Sequence, residues 1–285
     1  MMTVSGLQIP LDEREYLQAD IIDLRGMEMI ANYHTHTYRC GHAEGNEREY
    51  AEQAVKAGLR TLGIADHTPY DFFDIGPRNR PMRMMPEELP EYADSVRALG
   101  EEYRGRLELL LGVEAEYYPK YFSRMVELLR DNGVQYMILG QHFLGNEVGD
   151  LYCGMPCPEE EQLKRYVDQS IEALETGLFT YFAHPDLFRF TGDDTVYERE
   201  MQRLCRAAKR TETPLEINLL GIREGRHYPN ARFWRIAACE GNSVVLGADA
   251  HQPRWVADPQ SEEKATRMAA DLGLTLLGQV PLRKV

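Results

Sequence analysis

Histidine is the residue type that indicates chemistry in this chain of 285 residues. Seven of its eight histidines fall at or just after the ends of short apolar segments that are predicted to be strands. These seven are His34, His36, His42, His67, His142, His184 and His251. Glu114 ends the third such segment, and Asp249 precedes the last of these histidines by two residues. Imidazole and carboxylate groups together are typical ligands of Zn, Mn, Fe and Co, so a divalent-metal site is expected.

Each of these residues also has a purely structural explanation. A lone His142 or His184 is more often a hydrogen-bonded core residue than a ligand, and Glu114 could form a salt bridge at the rim of the fold. The combination is more informative, because six of the seven predicted strands supply a possible ligand at the same end. We therefore predict a polynuclear metal site. The eighth histidine, His227, lies in a polar loop, where substrate contact and simple surface exposure are equally consistent with its position.

Alternating strands and helices are predicted to position these side chains. The strands are the β-branched, apolar runs 29–33, 61–65, 108–113, 135–139, 179–183, 214–218 and 243–247. The helices are predicted at 46–56, 86–102, 118–131, 159–176, 193–210, 230–240 and 262–272. Such alternation is typical of parallel strands with right-handed crossovers. An α/β fold with one closed or nearly closed (β/α) barrel is favoured over two doubly wound halves, because no linker divides the chain.

Composition excludes several classes of protein. Lys plus Arg number 32 and Asp plus Glu number 46, so the net charge is −14, which disfavours long nucleic acids and anionic membrane surfaces as partners. Hydrophobic residues at 43% and charged residues at 27% are typical of a globular protein. Five scattered cysteines, with no signal-peptide pattern, predict reduced thiols and a cytoplasmic location. Residues 1–26 are predicted to be an N-terminal extension and residues 27–285 a single domain. The sequence leaves the oligomeric state open.

Several motifs together resemble the PHP (polymerase and histidinol phosphatase) superfamily, and within it the histidinol-phosphate phosphatases. The resemblance extends from about residue 29 to the C-terminus. The motifs are His34-Thr-His36-Thr-Tyr-Arg-Cys-Gly-His42-Ala, Gly63-Ile-Ala-Asp-His67-Thr-Pro, Met82-Arg-Met-Met-Pro-Glu-Glu-Leu-Pro-Glu-Tyr, Leu111-Gly-Val-Glu114-Ala-Glu-Tyr-Tyr-Pro, Gln141-His142-Phe, Ala183-His184-Pro-Asp, Glu216-Ile-Asn218 and Gly247-Ala-Asp249-Ala-His251.

The resemblance implies a distorted seven-stranded (β/α) barrel with a centre of up to three divalent metal ions. By position, it assigns one metal to His34, His36, Glu114 and Asp249. Glu114 would bridge to a second metal that His142 and His184 complete, and a third metal would be held by His42, His67 and His251. The implied activity is hydrolysis of L-histidinol phosphate, a step of histidine biosynthesis, with catalytic roles for Glu114, Asp249 and His251. Metal ions provide hydroxide for such a reaction and neutralise phosphoryl charge.

Residues near these motifs are candidates for contact with a small phosphorylated metabolite. Arginine binds phosphate through two parallel hydrogen bonds, so Arg83, Arg189 and Arg223 are candidates, together with Asn218. Asp66 and Asp186, which adjoin predicted ligands, could orient imidazoles or protonate the leaving group, or could simply be turn residues. An acidic wall for the cationic part of histidinol phosphate is expected from Glu116, Glu147 and Asp150.

The chain departs from the family pattern in two expected pocket loops. Leu139-Gly-Gln-His142-Phe replaces the usual Gly-Ser-Val-His-Phe, and the segment 146–158 that follows also differs. Asn218 is followed by Leu-Leu-Gly-Ile-Arg223 instead of a turn with Thr or Ser. The alternative to histidinol phosphate is therefore another phosphoester, such as a nucleotide, a short oligonucleotide or phosphotyrosine. A non-catalytic metal-binding regulator is the third possibility, which the complete ligand set disfavours.

Overall fold

Parallel strands form the centre of the computed structural model, which describes residues 29–70, 82–145 and 151–285. The predicted extension 1–26 lies outside these residues. Eight strands of the described residues pair in their order along the chain. They are β1 (Ala31–Asn32), β2 (Thr61–His67), β3 (Glu108–Ala115), β4 (Tyr136–Leu139), β5 (Phe179–Phe182), β6 (Leu215–Asn218), β7 (Ser243–Gly247) and β8 (Thr275–Leu276). The predicted parallel α/β architecture is confirmed.

The sheet closes into a distorted barrel through the segments that follow β1 and β7. Thr35 and Ala250 form a parallel bridge there, and the His36 N–H donates to the Ala250 carbonyl over 3.0 Å. β8 pairs with the first two residues of β7, at the opposite end of that strand. The prediction of seven strands was therefore one short. β8 has only two residues, too few to produce a recognisable alternating pattern.

Helices connect successive strands. They are α1 (Glu47–Ala57), α2 (Leu89–Glu102), α3 (Phe122–Asp131), α4 (Glu160–Glu175), α5 (Asp194–Arg210), α6 (Leu219–Glu224), α7 (Ala231–Cys239) and α8 (Pro259–Leu272). The predicted helices are all present, although a 3-10 turn (Pro86–Glu88) precedes α2 and the short α6 was missed. Asn46 and Glu49 form the expected capping box of α1. None of the helices in the described ranges is both long and apolar enough to span a bilayer.

Aromatic side chains fill the barrel below the strand ends. The Tyr136 ring lies across β2 and β3, and its hydroxyl donates to the Tyr33 carbonyl over 2.8 Å. Gly63 and Gly112 make room for this ring, because a Cβ would lie 2.8 Å from Tyr136 Cζ at Gly63 and 2.7 Å from its hydroxyl at Gly112. The packed interior gives the carboxyl ends of the strands a rigid base, as in other parallel barrels.

Candidate metal centre

All nine residues predicted as metal ligands come together at the carboxyl ends of the strands. His34, His36 and His42 follow β1, His67 ends β2, Glu114 lies in β3, His142 follows β4, His184 follows β5, and Asp249 and His251 follow β7. The His36 ring stacks against His67 and His251, with centroids 4.4 Å apart in both pairs. Residues more than 200 positions apart in the chain therefore share one cluster because parallel strands end at one rim.

Glu114 is at the centre of this cluster. Its Oε1 lies 2.8 Å from His184 Nε2 and 3.5 Å from His142 Nε2. Its Oε2 lies 3.4 Å from Nε2 of both His34 and His36, and 3.1 Å from His67 Nδ1. One carboxylate with 1% exposure thus faces five imidazoles, and each oxygen faces a different subset of them. Such an arrangement suits a group that bridges two cations.

Asp249 and the outer histidines complete the cluster. Asp249 Oδ1 lies 3.2 Å from His36 Nε2 and 3.5 Å from His34 Nε2. On the outer side, Nε2 of His42 and Nε2 of His251 are 2.9 Å apart. Asp249 and His184 both have positive backbone φ angles, of 45° and 32°. Non-glycine residues rarely adopt this conformation, which is often found at functional sites.

The donor atoms of the cluster fit divalent metal ions. His34 Nε2, His36 Nε2 and Glu114 Oε2 are buried and have no hydrogen-bond partner among the described residues. Buried polar atoms are normally paired, so an unpaired set that converges on one point is typical of a ligand site. Trios such as His42, His67 and His251 offer atoms within 4.8 Å of one another. Nitrogen donors about 2.0–2.1 Å from a zinc ion lie roughly 3.4 Å apart in a tetrahedron, so small side-chain shifts would bring such a trio onto a common ion.

The cluster lies at the bottom of a pocket of about 400 Å³. Seven of the nine residues line it, namely His42, His67, Glu114, His142, His184, Asp249 and His251. Aromatic and charged side chains form the wall, among them Phe143, Tyr152, Arg223, Arg226, Tyr228 and Trp255. This volume is typical of sites for small molecules.

Comparison with known proteins agrees with this geometry. The profile of the PHP domain family matches residues 32–219. The chain belongs to the PHP domain family. A probable histidinol-phosphatase of Deinococcus radiodurans is 34% identical over 237 residues, which cover 80% of this chain and 88% of the relative. The histidinol-phosphatase of Bacillus subtilis is 32% identical over 250 residues, which cover 77% of this chain and 92% of the relative. The resemblance to histidinol-phosphate phosphatases is confirmed.

Solved structures support the same fold. The histidinol phosphate phosphatase of Lactococcus lactis, solved with zinc, L-histidinol and phosphate, superposes with a TM-score of 0.69 at 19% identity. The match covers 89% of this chain and 99% of that structure. At 19% identity this match shows that the two proteins share the barrel fold.

Further carboxylates orient the imidazoles of this PHP domain. Glu216 Oε2 lies 2.8 Å from His34 Nδ1, and Glu116 Oε1 lies 3.0 Å from His142 Nδ1. A carboxylate at Nδ1 places the proton there and leaves Nε2 free as a ligand. These roles of Glu216 and Glu116 were not predicted from the sequence. One sequence signal could have indicated the role of Glu216. It is a carboxylate within the apolar strand β6, and this strand contributes no predicted metal ligand.

Asn218 and Arg83, predicted to contact substrate, both act on other side chains of the site. Asn218 Nδ2 donates to Glu216 Oε1 over 2.8 Å and to Asp249 Oδ2 over 3.0 Å, and Asn218 does not line the pocket. Arg83 lines the pocket, but its guanidinium binds both oxygens of Glu116 over 3.1 Å. Glu116, predicted as part of an acidic wall, is therefore already paired. The other two wall residues, at 147 and 150, lie outside the described residues.

The remaining candidates differ in their access to the pocket. Arg223 lines it, with its guanidinium 4.6 Å from the centre of the Trp255 ring and 3.3 Å from Asp258 Oδ2. Arg189 is exposed and does not line the pocket. His227 also lies outside the lining and hydrogen-bonds to the Leu187 carbonyl over 2.7 Å. Arg226, which does line the pocket, was not predicted.

Asp66 and Asp186 also remain outside the pocket lining. Asp66 accepts a hydrogen bond from the Thr37 N–H over 2.9 Å, and its Oδ1 is 3.8 Å from His36 Nδ1. Asp186 accepts from the Asn230 N–H, and burial raises its pKa to about 7. Neither carboxylate lines the pocket, so their structural position favours support of neighbouring residues over proton donation to a substrate.

The electrostatic environment divides the histidines into two groups. Burial alone would lower the pKa of His36, but the neighbouring carboxylates of Asp249, Asp66 and Glu114 outweigh it and raise the pKa to about 9. The pKa of His34 and that of His142 are raised in the same way, despite burial, by their carboxylate neighbours. Burial and the neighbouring His36 lower the pKa of His251 to about 3. A cation that binds His34, His36 or His142 would therefore displace a proton, whereas one that binds His251 would not.

Proposed function

We propose that the protein is a metal-dependent phosphomonoesterase that hydrolyses L-histidinol phosphate to L-histidinol and phosphate. The observation that carries this proposal is the nine-residue ligand cluster at the bottom of a pocket of small-molecule size. The similar proteins of Deinococcus radiodurans and Bacillus subtilis are described as histidinol-phosphatases. The substrate is thus a small phosphorylated metabolite, and the protein acts in histidine biosynthesis. A cytoplasmic location is consistent with five unpaired cysteines, four of them buried.

The ligand residues are proposed to hold up to three divalent ions. His34, His36, Glu114 and Asp249 would hold the first; Glu114, His142 and His184 the second; and His42, His67 and His251 the third. Zn, Mn, Fe and Co all suit this set of nitrogen and oxygen donors. When bound, such ions lower the pKa of water towards neutrality and neutralise charge on phosphoryl oxygens. The Lactococcus lactis protein, whose fold is similar to that of this chain, was solved with zinc.

The chain's own residues position the reacting groups. Glu114 separates the two inner ligand groups, because its two oxygens face different histidines. Asn218 holds Asp249 Oδ2, so that Oδ1 faces His34 and His36. Glu114, Asp249 and His251 all line the pocket, which supports the catalytic roles proposed for them. Arg223 is the predicted arginine whose position in the wall suits contact with phosphate.

A second substrate class is favoured by the aromatic wall. Phe143, Tyr152, Tyr228 and Trp255 all border the pocket, and such rings would also pack against a nucleobase or the ring of phosphotyrosine. The net charge of −14 disfavours long polynucleotides but not these small esters. Substrate comparison therefore decides between the two classes.

The test is phosphate release by protein reconstituted with zinc or manganese. The substrates are histidinol phosphate, a nucleoside monophosphate, phosphotyrosine and p-nitrophenyl phosphate. We expect kcat/KM for histidinol phosphate to exceed that for p-nitrophenyl phosphate by about 1,000-fold or more, because only the former has remote groups whose binding stabilises the transition state. Equal efficiency on both would remove the histidinol assignment, and higher efficiency on phosphotyrosine or the nucleotide would establish the second class.

Two arginine variants provide a matched comparison. Arg223→Ala removes a guanidinium from the pocket wall, and we expect kcat/KM to fall about 10- to 100-fold, as for loss of one charge-assisted hydrogen-bonding group. Arg189→Ala removes an exposed guanidinium outside the lining and should leave kcat/KM within about twofold. The reverse pattern would show that Arg189, not Arg223, contacts the phosphate.

A further inference from the structure

The carboxylates that line the pocket differ in how their charge is compensated. Among the described residues these are Glu44, Glu114, Glu116, Glu224 and Asp249. Glu114 and Asp249 face the candidate ligand histidines, Glu116 binds Arg83, and Glu224 Oε2 lies 2.7 Å from Arg226 Nη2. Glu44 forms no ion pair within the described ranges. It is the pocket carboxylate whose negative charge remains available to a cationic ligand.

The position of Glu44 is determined by three hydrogen bonds. Its N–H donates to the His251 carbonyl over 2.8 Å, and its carbonyl accepts from the Tyr50 hydroxyl over 2.9 Å. Gln252 Nε2 donates to its Oε1 over 3.0 Å. The following Gly45 has a φ of 81° and packs so closely on Pro253 that a Cβ would lie 3.0 Å from the Pro253 Cδ. Glu44 is exposed, yet both its backbone and its carboxylate are held in place.

Gln252 connects Glu44 to the arginine in the pocket wall. While its Nε2 binds Glu44, its Oε1 accepts from Trp255 Nε1 over 3.0 Å. Trp255 in turn contacts Arg223, whose guanidinium lies 4.6 Å from the centre of the Trp255 ring. One stretch of wall therefore carries a fixed carboxylate and a fixed guanidinium, separated by Gln252 and Trp255. Because Arg223 also pairs with Asp258 Oδ2 over 3.3 Å, the uncompensated charge of this stretch is that of Glu44, which is complementary to a cationic group of a ligand.

We propose that Glu44 determines specificity by binding the positively charged amino group of the substrate's leaving group. This inference rests on the proposed function, since it presupposes a phosphate ester of an amino alcohol. Glu44 accepts a charge-assisted hydrogen bond from the ammonium group while the phosphate lies at the ligand cluster. Because its carboxylate is already positioned by Gln252, little side-chain freedom is lost when the substrate binds.

The test compares Glu44→Gln with the wild-type protein on substrates with and without the amino group. Histidinol phosphate carries it, whereas its deamino analogue, 3-(imidazol-4-yl)propyl phosphate, and p-nitrophenyl phosphate do not. We expect Glu44→Gln to lower kcat/KM for histidinol phosphate by about 10- to 100-fold, the loss typical of one hydrogen bond to a charged group. The values for the other two substrates should stay within about twofold, since neither uses the Glu44 charge.

Glu224→Gln is the matched control. It makes the same change in size and charge within the same pocket, but at a carboxylate that Arg226 already neutralises. We expect it to change the preference for histidinol phosphate over its deamino analogue by less than about threefold. An equal effect of Glu224→Gln would show that the general negative field selects the cation and would overturn the assignment to Glu44.

Other outcomes separate this inference from the proposed function. If the wild-type protein prefers histidinol phosphate and Glu44→Gln keeps that preference, the role of Glu44 is wrong and the proposed function stands. If Glu44→Gln lowers kcat/KM for all three substrates equally, Glu44 acts on the neighbouring His42 and His251, which also overturns the inference. If the wild-type protein shows no preference for histidinol phosphate, the proposed function is wrong, and the inference about Glu44, which rests on it, is overturned as well.

Discussion

Replacing Gly140 with alanine tests whether the position of the Glu114 carboxylate controls activity. Gly140 follows β4, and a Cβ at this position would lie 2.6 Å from Glu114 Cγ and closer still to its carboxylate. To reach an ordinary contact of 3.4 Å, Glu114 Cγ must therefore retreat by about 0.8 Å and the nearer carboxylate oxygen by more than 1 Å. The backbone of Gly140 does not have a positive φ, so alanine introduces a clash without backbone strain. The charge of Glu114 is unchanged.

The expected loss follows from this displacement. A shift of about 1 Å in a catalytic group costs on the order of 100-fold in rate, which corresponds to about 2.7 kcal/mol. We expect Gly140→Ala to lower kcat/KM for p-nitrophenyl phosphate by about that factor at saturating zinc or manganese. Some loss of stability accompanies it, because overpacking typically costs about 1–3 kcal/mol. Metal content and the urea unfolding midpoint are measured on the same preparation.

Gly100→Ala is the control for the glycine substitution itself. Gly100 lies in α2, where the nearest atom to a new Cβ is 3.9 Å away. We expect unchanged activity and a gain of roughly 0.5–1 kcal/mol in stability, because alanine is the better helix former. If folded Gly140→Ala protein kept more than about half of the wild-type kcat/KM, the exact position of the Glu114 carboxylate would not limit the reaction, and its bridging role would be refuted.

Three further predictions concern the same site. Glu114→Gln keeps the size of the side chain but removes the charge that faces five histidines. Activity should therefore fall about 1,000-fold or more, while the circular dichroism spectrum is retained. A residual rate above about a tenth of wild type would contradict this prediction. Glu216→Gln weakens the hydrogen-bond acceptor at His34 Nδ1. Because this acceptor orients the His34 ring, zinc affinity measured by chelator competition should fall about 10- to 100-fold. An unchanged affinity would mean that Glu216 does not orient His34. Chelator-treated protein holds a proton on His36 below its pKa of about 9, so zinc must displace it, and the apparent affinity should rise with pH up to about 9. Calorimetry in buffers of different ionisation enthalpy measures this release at pH 7.5, and its absence would show that the carboxylates do not keep this imidazole protonated.

Local patterns predicted much of the fold because their causes are local. The capping box of α1 needs only Asn46 and Glu49, three residues apart, and it forms as expected. The strand β8 was missed since two residues carry no periodicity. The short helix α6 was also missed. It begins at Leu219, directly after Asn218, whose side chain caps it by accepting from the Gly221 N–H. The apolar residues of β6 continue into this helix, so the pattern shows no boundary there.

The residue types of the candidate site were predictable, but several of their roles were not. Arg83 and Arg223 look alike in the sequence, yet only the fold places Arg83 against the buried Glu116 and Arg223 in the pocket wall. Likewise, nothing local indicates that Asn218 binds Asp249, which is 31 positions further along the chain. Such pairings depend on which strands are neighbours and on which side chains point inwards.

The amino-acid sequence alone indicated the alternating architecture and the histidines and carboxylates that come together at the strand ends. It did so because parallel strands bring their carboxyl ends to one rim, so a histidine or carboxylate at each strand end must join the same cluster. The fold was needed to show which carboxylates face histidines, which pair with arginine, and that Glu44 lines the pocket without an ion pair among the described residues. These distinctions depend on distances of a few ångströms between distant parts of the chain, and electrostatic and hydrogen-bond energies change steeply over that range.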